Sequence, residues 1–380
     1  MKITFIVPHF PPHIGGGEQL YKDVCEGLIR KGHQVRVVTS NSGGVTGHRN
    51  YEGIEVWYCD WKLLFGHPIV RASDITEHVR WCDIVHTTIY STAIKSIREA
   101  DKHNKPSVVT VHEVMGKKWF WFEKNFLKAV AFRAYEHLIL KASVNVHVVS
   151  CATERDYKKS GRYNGRVFMI YNFLNLPGDE EVQAQDISFH EFFGLGEDEK
   201  GILYFGRPAP NKGIFVLLEA INLVKEKIRG RGLFFCMILS KSPAGGRKKV
   251  LDLIEKNGLG DIVRVKDPLP RMSLLKVLSG ADLVTIPSVT EGFGYAACEA
   301  CHYKRPVISS DGGSLSEVVS GRCLFFRNMD ASDLARKILE YTDNGTENFA
   351  DVPEKIFDKE RIIGQYLDMY GEILQKAREV

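Results

Sequence analysis

The sequence predicts an α/β protein of two Rossmann-like domains whose parallel sheets face a central cleft. Short β-branched runs alternate with helical patterns along the whole chain, as in parallel sheets covered by helices. The alternation pauses between Pro177 and Lys200 and then restarts, so it occurs in two sets. At 380 residues the chain also exceeds the roughly 250–300 residues at which a single core stops growing.

In order, the first set of strands is Ile3–Val7, Gln34–Ser40, Ile54–Cys59, Asp83–Thr88, Ser107–His112, Val144–Ser150 and Val167–Asn172. Between the first two lies a helix with Leu20, Val24 and Leu28 on one face, and Gly32 is placed to stop it. The stretch from Pro177 to Lys200 is acidic and has little continuous apolar pattern, so it reads as an interdomain connection. The second set is Gly201–Gly206, Leu233–Leu239, Ile262–Asp267, Leu283–Ser288, Pro306–Asp311 and Cys323–Phe326. This gives a first domain over 1–175, a linker over 176–200 and a second domain over 201–358.

Apolar residues make up 44% and charged residues 26%, an ordinary globular composition that excludes disorder. The net charge of +4 gives no reason to expect nucleic acid as a partner. The apolar run after Met1 is too short for a signal peptide, and no stretch approaches 18 uncharged apolar residues. The expectation is a cytoplasmic protein, attached at most to the inner membrane face. Eight scattered cysteines, mostly within apolar runs, fit a reducing compartment. The one close pair, Cys298 and Cys301, has no second pair to complete a metal site and reads as helix interior.

Three segments carry chemistry. In Ser288–Ala300 an apolar strand ends at a glycine turn that opens a helix, an arrangement that favours a bound phosphate. Glu291 and Glu299 flank that turn, one placed to reach a sugar and the other ribose hydroxyls. The same two residues also fit solvated charges at a helix end. In Leu203–Gly213 a strand ends at Gly206, and Arg207 and Lys212 precede the next helix. Two cations there suit a diphosphate, both bound and departing, though a pair of surface cations would look alike. In Pro8–Glu18, Gly15, Gly16 and Gly17 let backbone approach a ligand at a helix start. This loop lacks the dinucleotide fingerprint, which argues against a nicotinamide-dependent dehydrogenase.

Taken in order, these segments resemble retaining glycosyltransferases of family 4, also called group 1. The match takes in the glycines at 15–17, Val109–Glu113, Tyr171–Asn172, Gly206–Arg207 with Lys212–Gly213, the Glu291 and Glu299 pair, and Pro306–Val318. It implies the GT-B fold, a first domain that binds the acceptor and a second that binds a nucleotide-sugar donor. By this resemblance Arg207 and Lys212 bind the diphosphate and assist its departure. Glu299 holds the ribose, Glu291 contacts the transferred sugar, and backbone at Phe293 and Gly294 faces the donor. His112 points toward the sugar, and a final helix over 359–380 crosses back to the first domain. Lys304 stands where the family usually has glycine, which implies a differently shaped helix end.

The function expected is retaining transfer of a sugar, a hexose by preference, from a UDP- or GDP-sugar to a hydroxyl of a glycan, lipid-linked or small-molecule acceptor. The nucleotide sugar is a co-substrate, so no cofactor is expected. No Asp-x-Asp element or His/Asp cluster asks for a metal. A nucleotide-sugar epimerase, a phosphorylase and a non-catalytic binding module remain as alternatives. Lys117–Phe122 mixes lysines with aromatics and suggests peripheral membrane contact; aromatics packed inward would give the same pattern.

Overall fold

The computed structural model describes residues 1–379 except 14, 42, 43, 65, 66, 124, 162 and 164. The chain forms two compact units, Met1–Asn175 with Phe357–Val380, and Leu176–Ile356.

The first unit contains β1 (Lys2–Ile6), β2 (Gln34–Ser40), β3 (Gly47–Tyr51), β4 (Ile54–Cys59), the short pair β5 (Leu63–Leu64) and β6 (His67–Pro68), β7 (Ile84–Thr88), β8 (Ser107–Val111), β9 (Asn145–Val148) and β10 (Arg166–Met169). Eight of these form one sheet in the order β10-β9-β8-β7-β1-β2-β4-β3. All its pairings are parallel except that of the edge strand β3 with β4. The chain winds outward from β1 through β2 to β4, then returns to the other side of β1 with β7. The order therefore reverses between β1 and β7, the kind of switch point where open α/β sheets bind ligands.

The helix Gly16–Arg30 buries Leu20, Val24 and Leu28 beside Ile3, Phe5 and Val37 of the sheet. The C-terminal helix Lys359–Glu379 packs Ile362, Ile363, Tyr366, Met369 and Tyr370 into the same core. Gly27 makes this possible, because a Cβ there would lie 2.7 Å from Ile363 Cδ1.

The second unit contains β11 (Lys200–Gly206), β12 (Leu233–Leu239), β13 (Val263–Lys266), β14 (Leu283–Ile286), β15 (Val307–Ser310), β16 (Gly321–Phe326) and β17 (Ala350–Val352). Their order is β13-β12-β11-β14-β15-β16-β17, parallel except for the last pair. It is again doubly wound, with its switch point between β11 and β14. The helix Ile214–Ile228 buries Ile214, Leu217, Leu218 and Ile221 against this sheet.

The structure adds to the predicted elements at the sheet edges and in the expected connection. β3 and β17 were not expected. The acidic stretch between the two sets carries two short helices, Asp179–Gln183 and Phe189–Phe193. Val182, Phe189 and Phe193 are buried within the second unit, so few but well-placed apolar residues anchor a segment that reads as polar.

Candidate active site

Three loops meet at the carboxyl ends of β11, β14 and β15 in the second unit. The first follows β11, passing through Gly206 and a 3-10 turn at Pro210–Lys212 to Gly213. Gly213 has φ 67°, and a Cβ on it would lie 1.7 Å from the Pro287 carbonyl oxygen. Only glycine lets this loop press against the end of β14. The Val289 N–H donates to the Asn211 carbonyl at 2.9 Å, tying the first loop to the second.

The second loop runs from Pro287 to Gly294. Gly294 has φ 96° and opens the helix Tyr295–His302, whose dipole places partial positive charge at the loop. The third loop, after β15, holds the second in place. The Ser314 N–H donates to the Glu291 carbonyl at 3.1 Å, and Ser314 Oγ to the Phe293 carbonyl at 2.7 Å. A Cβ on Gly313 would sit 2.4 Å from that Glu291 carbonyl, so glycine is required here too. Asn328 Nδ2 donates to the Val289 carbonyl at 2.7 Å from the far side.

This framework joins two residues that the sequence suggests for separate tasks. Lys212 Nζ lies 2.6 Å from Glu291 Oε1, and Ser288 Oγ donates to the same oxygen at 2.8 Å. Arg207, on the same loop as Lys212, is exposed and forms no ion pair among the described residues. Its carbonyl accepts from Tyr204 Oη at 3.2 Å.

Glu299 lies on the helix behind the loop, with its side chain only 7% exposed. Burial pushes its carboxyl above the usual range, opposed by Arg271, whose Nη2 lies 2.7 Å away. Arg271 was not singled out from the sequence. It is 28 residues before Glu299 at the start of the helix Arg271–Ser279, and no local motif marks it. Ser314 was matched only as part of a longer segment, with no role assigned.

His112 and the glycines at 15–17 belong to the first unit. Gly15 caps the helix Gly16–Arg30, and a Cβ there would meet the Glu18 carboxylate at 2.1 Å. A Cβ on Gly17 would meet nothing within 4 Å, so packing does not demand glycine at that position. His112 follows β8, and its Nε2 pairs with Tyr21 Oη at 2.9 Å. Burial holds the imidazole down at about 4, so it is neutral at pH 7.

Lys304 corrects an expectation. It adopts φ 55°, the left-handed conformation that glycine takes at such a position. The Arg305 N–H reaches the Ala300 carbonyl at 3.0 Å, and the Lys304 N–H reaches the Cys301 carbonyl at 2.9 Å. The helix end therefore keeps the shape a glycine would give it. Cys298 and Cys301 are pushed up by burial and are not thiolates at neutral pH.

The family model for Glycosyltransferase Family 4 matches residues 14–176, and that for Glycosyl transferases group 1 matches residues 186–355. The chain belongs to glycosyltransferase family 4. An uncharacterised glycosyltransferase of Methanocaldococcus jannaschii is 26% identical over 349 residues, covering 87% of each chain. The GDP-mannose:cellobiosyl-diphosphopolyprenol alpha-mannosyltransferase of Xanthomonas oryzae is 24% identical over 412 residues, covering 98% of this chain and 97% of that one. Among solved structures, the sucrose-phosphate synthase of Thermosynechococcus elongatus matches with TM-score 0.78 at 19% identity, covering 99% of both chains. The fold is GT-B.

The glycosyltransferase thus transfers a sugar from a nucleotide-sugar donor, in a family that retains anomeric configuration and works without a metal ion. That decides for a transferase over the epimerase, phosphorylase and binding-module alternatives. No helix among the described residues is long and apolar enough to cross a membrane. In Lys117–Phe122 the Trp119 Nε1 donates to Glu136 at 2.8 Å and its ring packs on Phe132, whereas Trp121 is exposed. Lys124, two residues beyond that stretch, and Ile14, in the first glycine loop, lie outside the described residues.

Proposed function

We propose that the enzyme moves a hexosyl unit from a UDP- or GDP-sugar to a hydroxyl of a glycan, lipid-linked or small-molecule acceptor, with the donor bound by the second unit and the acceptor by the first. The supporting observation is the Lys212–Glu291 pair at the switch point between β11 and β14, built on a loop that only glycine at 213 permits. Arg207 and Lys212 bind the diphosphate and stabilise its charge as it leaves. Gly206 and the backbone at Phe293 and Gly294 line its path at the helix start. Glu299 accepts the ribose hydroxyls, and Glu291 contacts the transferred sugar. The assignment of His112 to the sugar, and of the glycines at 15–17 to the donor, rests on the family pattern alone.

Retention here follows front-face substitution, in which the leaving diphosphate takes the acceptor's proton. Glu291 is poorly suited to be a nucleophile, because one of its oxygens already accepts from Lys212 and Ser288. The mannosyltransferase of Xanthomonas oryzae is named for GDP-mannose as its donor, which supports the GDP option for this enzyme.

Calorimetric titration with UDP, GDP, ADP and NAD tests the donor site. One nucleoside diphosphate binds selectively, and Lys212→Ala and Glu299→Ala each weaken it roughly 10- to 100-fold, the scale of one charge-assisted contact. Binding of no diphosphate, or binding indifferent to both substitutions, would overturn the donor-site assignment.

A further inference from the structure

We infer that the outer face of the helix Phe126–Ala142 docks on an anionic lipid bilayer. A helix on a protein surface ordinarily turns a polar face outward; this one also exposes an apolar stripe there. Its inner face is well accounted for, with Ala129, Glu136, Ile139 and Leu140 buried. The Glu136 carboxylate accepts from the Met115 N–H at 2.7 Å, the Gly116 N–H at 2.8 Å and Trp119 Nε1 at 2.8 Å, which fixes the helix to the turn before it.

The outer face is apolar as well. Leu127, Ala131, Ala134 and Leu138 follow one another at helical spacing, and all are exposed, Leu127 at 77% and Leu138 at 57%. Val130 lies beside that stripe, and the exposed Phe126 begins the helix. Trp121, at 66% exposure, extends the apolar character into the preceding turn. The stripe spans about three turns, roughly 16 Å, and clustered exposure of this kind marks an interaction surface.

The charges around the stripe select the occupant. Lys128, Arg133 and Lys141 are exposed on the same helix, and Lys117 on the turn before it. The helix's one acid, Glu136, is buried and turned inward. Outside it, Glu123 precedes the helix and accepts from the Asn125 N–H at 2.9 Å. An apolar stripe flanked by cations and free of acids matches an anionic headgroup layer over acyl chains, with the lysine and arginine stems covering apolar surface while their charges reach the phosphates. This inference moves the membrane contact expected at Lys117–Phe122 onto the next helix, where the apolar surface faces outward. It does not depend on which nucleotide or sugar the enzyme uses.

The test is flotation of the full-length protein with vesicles of phosphatidylcholine containing 30% phosphatidylglycerol, against pure phosphatidylcholine, across a salt series. The protein floats with the anionic vesicles and loses binding as salt rises. The pair Leu127→Glu and Leu138→Glu reduces the bound fraction at least tenfold, and Lys128→Glu with Lys141→Glu reduces it several-fold. Unchanged thermal melting of these variants shows that the fold is intact, since the altered side chains are exposed. Absence of flotation, or flotation indifferent to the leucine substitutions, overturns the inference. So does a dimer in sedimentation that the leucine pair dissolves, because the face would then be covered by a second copy.

Discussion

Glu299 is a buried carboxylate with one cation, Arg271, beside it among the described residues. Burial pushes its carboxyl up, and Arg271 at 2.7 Å is what favours the ionised form. Arg271 itself is 47% exposed, so it meets water on one side and the carboxylate on the other. Substituting Arg271 by Ala leaves Glu299 without that counter-charge and raises its pKa further. A carboxyl that protonates more readily offers fewer acceptor positions for the proposed ribose contact, so Arg271→Ala weakens nucleoside diphosphate binding about tenfold, most at the acid end of the range. Affinity then recovers as pH rises and the carboxylate reforms, while Arg271→Lys keeps most of the affinity at every pH. Calorimetry from pH 6 to 9 reads this out. A uniform loss at all pH values would mean that Arg271 contacts the ligand or props the helix, and does not act through Glu299.

At the scale of elements, the end of the helix Tyr295–His302 stores a small strain. Lys304 holds φ 55° where a side chain costs about 1–2 kcal/mol relative to glycine. Part of that relief is offset, because glycine gives the unfolded chain more freedom. Lys304→Gly therefore stabilises the second unit by about 1 kcal/mol and raises its melting temperature by about 2–4 °C. An unchanged or lower melting temperature would show that Lys304 gains an offsetting contact. The two central sheets were legible in the sequence because buried parallel strands are continuous apolar runs. Edge strand β3, Gly47–Tyr51, was not, because its five residues are nearly all exposed and polar and form a strand only through pairing with β4. Candidate site residues were legible where they lie within a few positions of a strand end, as Arg207, Lys212 and Glu291 do. Arg271 and the Lys212–Glu291 pairing were not, since only the folded sheet brings loops 79 positions apart into contact.

Across the whole molecule the two units differ in how they bury histidine, so acid should separate them. In the first unit His86 and His147 are fully buried. His86 Nδ1 meets Tyr370 Oη at 2.5 Å and its Nε2 meets Thr110 Oγ1 at 2.6 Å; Thr110 Oγ1 also meets His147 Nδ1 at 2.9 Å. This network ties the C-terminal helix to the central strands with neutral imidazoles. Burial holds His147 down at about 4 and His86 well below its ordinary value; His78, in the same unit, lies at about 4. Above pH 6.5 both folded and unfolded forms are neutral at these positions, and stability is unaffected. As pH falls below 6.5 the unfolded chain takes up protons that the folded unit refuses. Each fully buried histidine then removes up to about 1.4 kcal/mol per pH unit until its folded pKa is reached. The carboxyls of Asp23 and Glu136, pushed up by burial, work in the opposite direction but nearer the carboxylate range. In the second unit Asp333, held low by the Arg327 N–H and Arg336, loses its contribution only below about pH 4. Scanning calorimetry between pH 7.5 and 5 should therefore show the transition of the first unit falling by about 10 °C or more, with that of the second nearly still. His147→Asn, which keeps hydrogen-bonding groups without a titratable ring, should flatten the first slope. Parallel movement of both transitions would place the acid sensitivity outside this histidine network.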